Sequence, residues 1–144
     1  MLFRSCTGGL ITDRLTDVPG SSRFLDRGIV AYSNPSKLDL LGVPPGVIER
    51  HGAVSRETAE FMARGMRTVA GTDLGLATTG IAGPGGGSEE KPVGLVYTAL
   101  ADRRGVLCRR SLFRWGRRGV KEISAVLAMD MVRRYLTGEK VCDE

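Results

Sequence analysis

Several residue types that build common active sites are scarce in this chain of 144 residues. It has one histidine, His51, and three widely spaced cysteines, Cys6, Cys108 and Cys142, with no CxxC pair. No cluster has the spacing of metal ligands, so the sequence predicts no metal site and no cofactor. An odd number of scattered cysteines also argues against a disulfide framework and fits a reducing cytoplasm.

Long apolar stretches are absent as well. No run approaches the ~18 residues that a membrane-spanning helix needs, and residues 1–4 lack the apolar core of a signal peptide. The composition, 42% hydrophobic and 26% charged, suits one compact domain with a real core. We therefore expect a single cytoplasmic domain over residues 1–144, without a membrane partner.

Positive charge is concentrated in one segment. The net charge is +5, and residues 103–121 contain eight Arg and Lys side chains and no acid. Such a segment is compatible with an anionic ligand or a nucleic acid. Because only Phe113 and Trp115 interleave with these cations, nucleic-acid binding is not favoured. We expect most of the cations to be solvated.

Predicted helices and strands alternate along the chain. Apolar periodicity and capping residues predict helices over 10–15, 34–41, 44–50, 55–70 and 118–136. Apolar and β-branched runs predict strands over 1–4, 28–32, 74–78, 93–100 and 106–113, the last two joined as a hairpin by a turn at 102–105. This order predicts an α/β fold, a three-layer α/β/α domain with a mixed sheet.

Ser5 is the strongest candidate nucleophile. It ends an apolar stretch and precedes Cys6, Thr7, Gly8 and Gly9, which are small residues able to open a helix. Free N–H groups of a first helical turn stabilise an oxyanion or a phosphate, and glycines leave room for a ligand. The alternative is that Ser5 or Thr7 only caps the helix, and that Cys6 is a small buried residue.

Lys37 is the candidate base for Ser5. With Asn34 as the N-cap and Pro35 as the first helical residue, Lys37 lies in the first turn of its helix. The positive end of the helix dipole disfavours a cation there, and burial acts in the same direction. A neutral lysine can activate a serine for acyl transfer. The alternatives are a surface lysine, a capping role for Asn34 and a packing role for Tyr32.

A glycine-rich loop over residues 79–88 follows a predicted central strand. It matches neither GxxxxGK[ST] nor GxGxxG, so it predicts neither a P-loop nor a Rossmann site. Its position after a strand is where α/β folds bind ligands. The loop is thus either a ligand cradle or a plain turn.

Seven stretches, in order along the chain, resemble the CinA C-terminal domain family. They are residues 5–9, 15–22, 30–34, Lys37, 51–55, 79–86 and 91–94. The run Thr79-Gly80-Ile81-Ala82-Gly83-Pro84-Gly85-Gly86 is the most specific of them. The resemblance implies an α/β/α domain that assembles into homo-oligomers.

The resemblance also implies an activity. Characterised members of the family are amidohydrolases that deamidate nicotinamide mononucleotide (NMN) to nicotinate mononucleotide and ammonia in bacterial pyridine nucleotide recycling. By resemblance, Ser5 is the nucleophile and Lys37 the base. Thr79 and Gly80 match the substrate loop, and Arg117 matches an arginine near the ligand.

The chain departs from the family pattern at three places. Arg4 stands where the family usually has Glu, and Trp115-Gly116 replaces a common Gly-Asp pair. Only four residues precede Ser5, so the resemblance implies a domain without the family's N-terminal helix. These departures leave open a non-catalytic nucleotide-binding or assembly module of the same family.

Overall fold

The structure is a computed structural model that describes residues 6–141. In chain order its elements are α1 (Leu10–Thr16), a 3-10 turn (Ser21–Arg23), α2 (Asn34–Leu41), α3 (Pro45–His51), α4 (Arg56–Ala70), β1 (Gly75–Gly80), β2 (Leu95–Ala101), β3 (Val106–Leu112) and α5 (Arg117–Thr137). All five predicted helices are confirmed to within two residues at each end. The predicted strand at residues 1–4 lies outside the described residues.

The three strands form one antiparallel sheet in the order β1-β2-β3. Gly75 pairs with Ala101, and Leu95 pairs with Leu112. The predicted hairpin is confirmed, since β2 and β3 pair antiparallel. In the turn between them, the carboxylate of Asp102 accepts the N–H groups of Arg104 and Gly105 at 2.7 Å each. These bonds satisfy the donors of the tight turn.

The α/β class is confirmed, whereas the described strands give an antiparallel rather than a mixed sheet. The prediction of a strand over residues 28–32 is wrong, because this run forms no strand and pairs with none of the strands among residues 6–141. Its β-rich composition has another cause: Ala31 is 1% exposed and packs into the core. Burial of a short extended segment produces the same residue preference as a strand does.

Two apolar cores lie on opposite faces of the sheet. Alternate residues of β2, Tyr97, Ala99 and Ala101, pack toward α4 in one core, and Val96 packs against Val120 of α5 in the other. Since successive side chains of a strand point to opposite faces, α4 and α5 sandwich the sheet. The three-layer arrangement follows from this alternation.

No helix among residues 6–141 is long and apolar enough to cross a membrane.

The contact between α2 and α4 requires a glycine. A Cβ atom at Gly65, in the middle of α4, would lie 1.8 Å from the carbonyl oxygen of Leu41 at the end of α2. Real side chains never approach a backbone oxygen so closely, so the two helices must move apart to accept one. This contact holds α2, which carries Lys37, against α4.

Gly65→Ala is therefore expected to destabilise the fold, although alanine ordinarily favours a helix by ~1 kcal/mol over glycine. Overpacking of this kind costs about 1–3 kcal/mol, measured as a lower free energy of unfolding in urea. Gly46→Ala is the matched control, because a Cβ there meets only a guanidinium nitrogen of Arg50 at 3.5 Å. A Gly65→Ala protein as stable as wild type would contradict the assigned α2–α4 contact.

Candidate active site

One cavity of about 250 Å³ is lined by most of the residues that the sequence predicted to form the site. It is lined by Tyr32, Asn34, Lys37, Thr79, Gly80 and Arg117, together with Cys6 and part of the glycine-rich loop. Ligand pockets commonly span ~300–1,000 Å³. This cavity, at about 250 Å³, lies near the lower end of that range and suits a small ligand.

Helix α2 presents Lys37 to the cavity. Ser33 is the N-cap, since its side-chain oxygen accepts the N–H of Ser36 at 3.2 Å. The prediction of Asn34 as N-cap is thus wrong by one residue: Asn34 begins the helix, and its side chain is left to line the cavity. Both residue types cap well, and the extended backbone of Ser33 decides between them. Lys37 remains at the start of α2, as predicted.

The Lys37 amine is buried and has no acidic partner among residues 6–141. Lys37 is 5% exposed. Its Nζ donates to the carbonyl oxygens of Tyr32 at 3.2 Å and Ser33 at 3.4 Å. Burial lowers the pKa of Lys37 below its ordinary value of 10.5, because desolvation disfavours the ammonium form. A neutral amine has two N–H groups and one lone pair. The two carbonyls occupy both N–H groups and leave the lone pair free to accept a proton.

Ser5 lies outside the described residues. The residue bonded to it, Cys6, is buried and lines the cavity. Burial raises the pKa of the Cys6 thiol to about 11, against the opposing effects of a hydrogen bond with Ser124 and the charges of Arg117 and Lys121. Cys6 is therefore a thiol at neutral pH and a poor nucleophile.

The structure does not place Thr7, Gly8 and Gly9 on the cavity wall. Thr7 is buried, with Oγ1 3.4 Å from Oγ1 of Thr78, while Gly8 is exposed and Gly9 precedes α1 with a φ of 92°. Within residues 6–141, the N–H groups of these three residues donate to no acceptor. Among the described residues they are unpaired donors directly after the cavity-lining Cys6.

The end of β1 forms the floor of the cavity. Thr79 Oγ1 donates to the carbonyl oxygen of Ala53 at 2.7 Å, so this hydroxyl fixes the neighbouring wall. Gly80 is required by close packing, because a Cβ there would lie 2.7 Å from the Leu95 oxygen and 2.9 Å from Cys6 Sγ. The two residues thus shape the floor around the segment that contains Cys6.

Arg117 connects the start of α5 to the glycine-rich loop. It donates from one guanidinium nitrogen to the carbonyl oxygen of Gly83 at 2.6 Å. A guanidinium carries five N–H donors, so donors remain for a ligand in the cavity. Arg117 and Lys121 also make this end of the cavity electropositive, as their influence on the Cys6 thiol indicates.

A family model described as the CinA C-terminal domain matches residues 3–136. The chain belongs to the CinA C-terminal domain family. A CinA-like protein of Syntrophus aciditrophicus is 62% identical over 133 residues, which are 92% of this chain and 32% of that protein. The chain spans about a third of the length of the curated relatives that it matches.

Two solved structures of CinA-type proteins share the fold. A competence/damage inducible protein of Agrobacterium tumefaciens is 46% identical, with a TM-score of 0.86 over 89% of this chain and 79% of its own. A CinA superfamily protein of Klebsiella pneumoniae 700603 is 31% identical, with a TM-score of 0.89 over 93% and 84% of the two chains.

Four apolar residues of this CinA domain line the cavity without having been nominated from the sequence. Ala31, Ala53, Val54 and Met62 supply an apolar wall. Met62 is also one of the buried residues of α4. In the sequence such apolar residues cannot be told from ordinary core residues.

No three His, Cys, Asp or Glu side chains cluster as metal ligands within residues 6–141 of the CinA domain. The polar groups of the cavity are an amine, hydroxyls, an amide and a guanidinium. These groups suit proton transfer and the binding of an anion.

Proposed function

We propose that this CinA domain is an amidohydrolase that deamidates NMN to nicotinate mononucleotide and ammonia through an acyl-enzyme on Ser5. The observation that carries the proposal is the buried Lys37 amine, which opens on the cavity and has no acidic partner among the described residues. Such an amine suits general-base catalysis near neutral pH. The family resemblance supplies the substrate.

The first step is attack by Ser5. Neutral Lys37 takes the proton of the Ser5 hydroxyl, and the oxygen forms a bond to the carboxamide carbon of NMN. The resulting oxyanion needs N–H donors close by. The N–H of Ile81 is already bonded to the Leu95 oxygen at 2.9 Å, whereas those of Thr7 and Gly8 have no acceptor within residues 6–141. We therefore assign the oxyanion to the segment after Ser5.

The second step releases ammonia. The tetrahedral intermediate collapses, the C–N bond breaks, and the protonated Lys37 gives its proton to the leaving nitrogen. Water then attacks the ester carbon while Lys37 accepts a proton from it. The bond between this carbon and the Ser5 oxygen breaks, and Lys37 returns the proton to that oxygen, which frees nicotinate mononucleotide and regenerates the Ser5 hydroxyl. The reaction needs no metal ion and no cofactor.

The ligand would lie with its two ends in different surroundings. The apolar wall of Ala53, Val54 and Met62 suits the face of the pyridinium ring, and Arg117 suits the phosphate. Asn34 and Tyr32 line the cavity beside Lys37, where they are placed to bind the ribose or the carboxamide. NMN offers a pyridinium ring, a ribose and a phosphate as partners for these groups.

The proposal includes a cytoplasmic homo-oligomer. Several large apolar side chains are exposed on the single chain, including Phe24 at 63%, Trp115 at 58% and Leu136 at 68%. Contacts between copies of a chain commonly bury such side chains.

The test is ammonia release from NMN by the purified chain, measured across pH with EDTA present. Since only neutral Lys37 accepts a proton, kcat/KM is expected to rise with pH and to level off with an apparent pKa below 10.5, the ordinary value that burial lowers. A rate that falls as pH rises through this range would contradict the role of Lys37. Thermal stabilisation by NMN without ammonia release would instead select the non-catalytic binding module.

A further inference from the structure

A second concave region lies on the other side of residues 51–55. We call it the basic groove, because its lining includes the cations Arg50, Arg56, Lys91 and Arg110 against two carboxylates, Glu57 and Glu90. Its volume is about 680 Å³, which is within the range of small-molecule sites. The groove and the cavity share only Val54.

The cations of the basic groove are poorly neutralised. Arg50 donates to the Gly46 carbonyl oxygen at 3.0 Å, and Lys91 donates to the His51 carbonyl oxygen. Arg56 donates to the Cys108 carbonyl oxygen at 2.9 Å and approaches the Glu60 carboxylate only to 3.9 Å. Elsewhere arginines have close carboxylates, as in the Arg118–Glu122 pair at 2.8 Å. Neutral carbonyls orient these cations without cancelling their charge.

The side chain of Arg110 has no hydrogen bond or ion pair within residues 6–141. It lies on β3 directly opposite Tyr97 of β2, so both side chains point from the same face of the sheet into the groove. Its guanidinium therefore offers all five donors beside other cations. Like charges gathered in one concavity repel one another unless an anion binds between them.

Residues 51–55 separate the groove from the cavity by a fixed wall. On the cavity side, Thr79 holds the Ala53 oxygen at 2.7 Å. Behind it, the hydroxyls of Ser55 and Thr58 hold the Gly52 oxygen at 3.1 and 2.7 Å, and Lys91 holds the His51 oxygen from the groove side. A ligand in the groove is thus bound apart from the substrate.

We propose that the basic groove is a second binding site, for a small molecule with a multiply charged phosphate group. Arg110 and Lys91 contact the phosphate oxygens, because charge-assisted hydrogen bonds from these donors are the strong ones in such sites. Arg50 and Arg56 add positive potential. This site does not depend on the proposed amidase reaction, since it shares only Val54 with the cavity and none of its cations takes part in that reaction.

The test is calorimetric titration of the full chain with inorganic pyrophosphate at two salt concentrations. We expect one binding event, and its affinity should fall as the salt concentration rises. Arg110→Gln and Lys91→Gln should each lower the affinity for pyrophosphate at least tenfold. Arg103→Gln is the matched control: it removes an exposed arginine from the same hairpin, outside both concavities, and should change affinity less than twofold.

Three outcomes would overturn the proposal. The first is that pyrophosphate does not bind at millimolar concentration. The second is that all the variants, including Arg103→Gln, weaken binding equally, as diffuse electrostatic attraction predicts. The third is that Arg117→Gln abolishes binding while Arg110→Gln does not, which would assign the anion to the cavity. Because binding is measured without turnover, a failure here leaves the amidase proposal untouched, and loss of amidase activity leaves this one untouched.

Discussion

Lys37→Met is expected to lower kcat for ammonia release from NMN by about a thousandfold or more. General-base catalysis contributes ~10²–10⁴-fold, and without a base the Ser5 hydroxyl is a weak nucleophile. Methionine matches the length of the lysine stem and suits a buried position, so the loss isolates the amine. The measurement is steady-state kinetics with NMN on variants of verified stability.

The Lys37→Met protein should remain folded. The Ser33 oxygen keeps two other donors, the backbone N–H of Lys37 at 3.2 Å and the Ser36 hydroxyl at 2.9 Å. Removing a buried amine also removes a group whose charged form is disfavoured there. Lys140→Met, at an exposed position outside the cavity, is the control for loss of a lysine. Retention of more than a tenth of wild-type kcat by Lys37→Met would rule out Lys37 as the base.

Arg117→Gln is expected to raise KM for NMN by about 30- to 100-fold while kcat changes by less than about threefold. A charged hydrogen-bond pair with a phosphate contributes ~1.5–3 kcal/mol, and an interaction made equally in the ground state and the transition state appears in KM. Arg118→Gln is the neighbouring control, because Arg118 is 94% exposed at its side chain and pairs with Glu122.

Arg117 also holds the glycine-rich loop through Gly83, so its two roles must be separated. Nicotinamide riboside, which lacks the phosphate, is the discriminating substrate. A phosphate contact predicts that Arg117→Gln affects NMN strongly and the riboside little. Equal losses on both substrates would show that the arginine acts only by holding the loop.

The sequence predicts the helix that carries Lys37 but not the burial of its amine. A capping residue followed by proline fixes α2 locally, without reference to the rest of the chain. The burial of the Lys37 amine depends on the packing of α2 against α4, where the absence of a side chain at Gly65 allows the backbone of Leu41 to come close. One signal was available: Lys37 and Leu41 are four residues apart and therefore share a face of α2, and both are buried.

Sequence reasoning failed where distant segments decide the outcome. Residues 28–32 have strand-like composition but pair with no strand in the described part of the chain. Periodicity within a segment does not reveal whether a partner strand is available. The apolar wall of the cavity and the basic groove were likewise not predicted, because distant segments form them. Val54 and Tyr97 gain their positions from the meeting of α4, the sheet and residues 51–55, which no local pattern encodes.

The central claim is that NMN is deamidated through an ester on Ser5, activated by Lys37. The most direct measurement is mass spectrometry of the protein quenched during turnover of NMN, followed by peptide mapping. The account predicts an adduct equal to NMN minus ammonia on the peptide that contains Ser5, absent in Ser5→Ala and strongly reduced in Lys37→Met. Ammonia release by Ser5→Ala at the wild-type rate, with no adduct on that peptide, would contradict it.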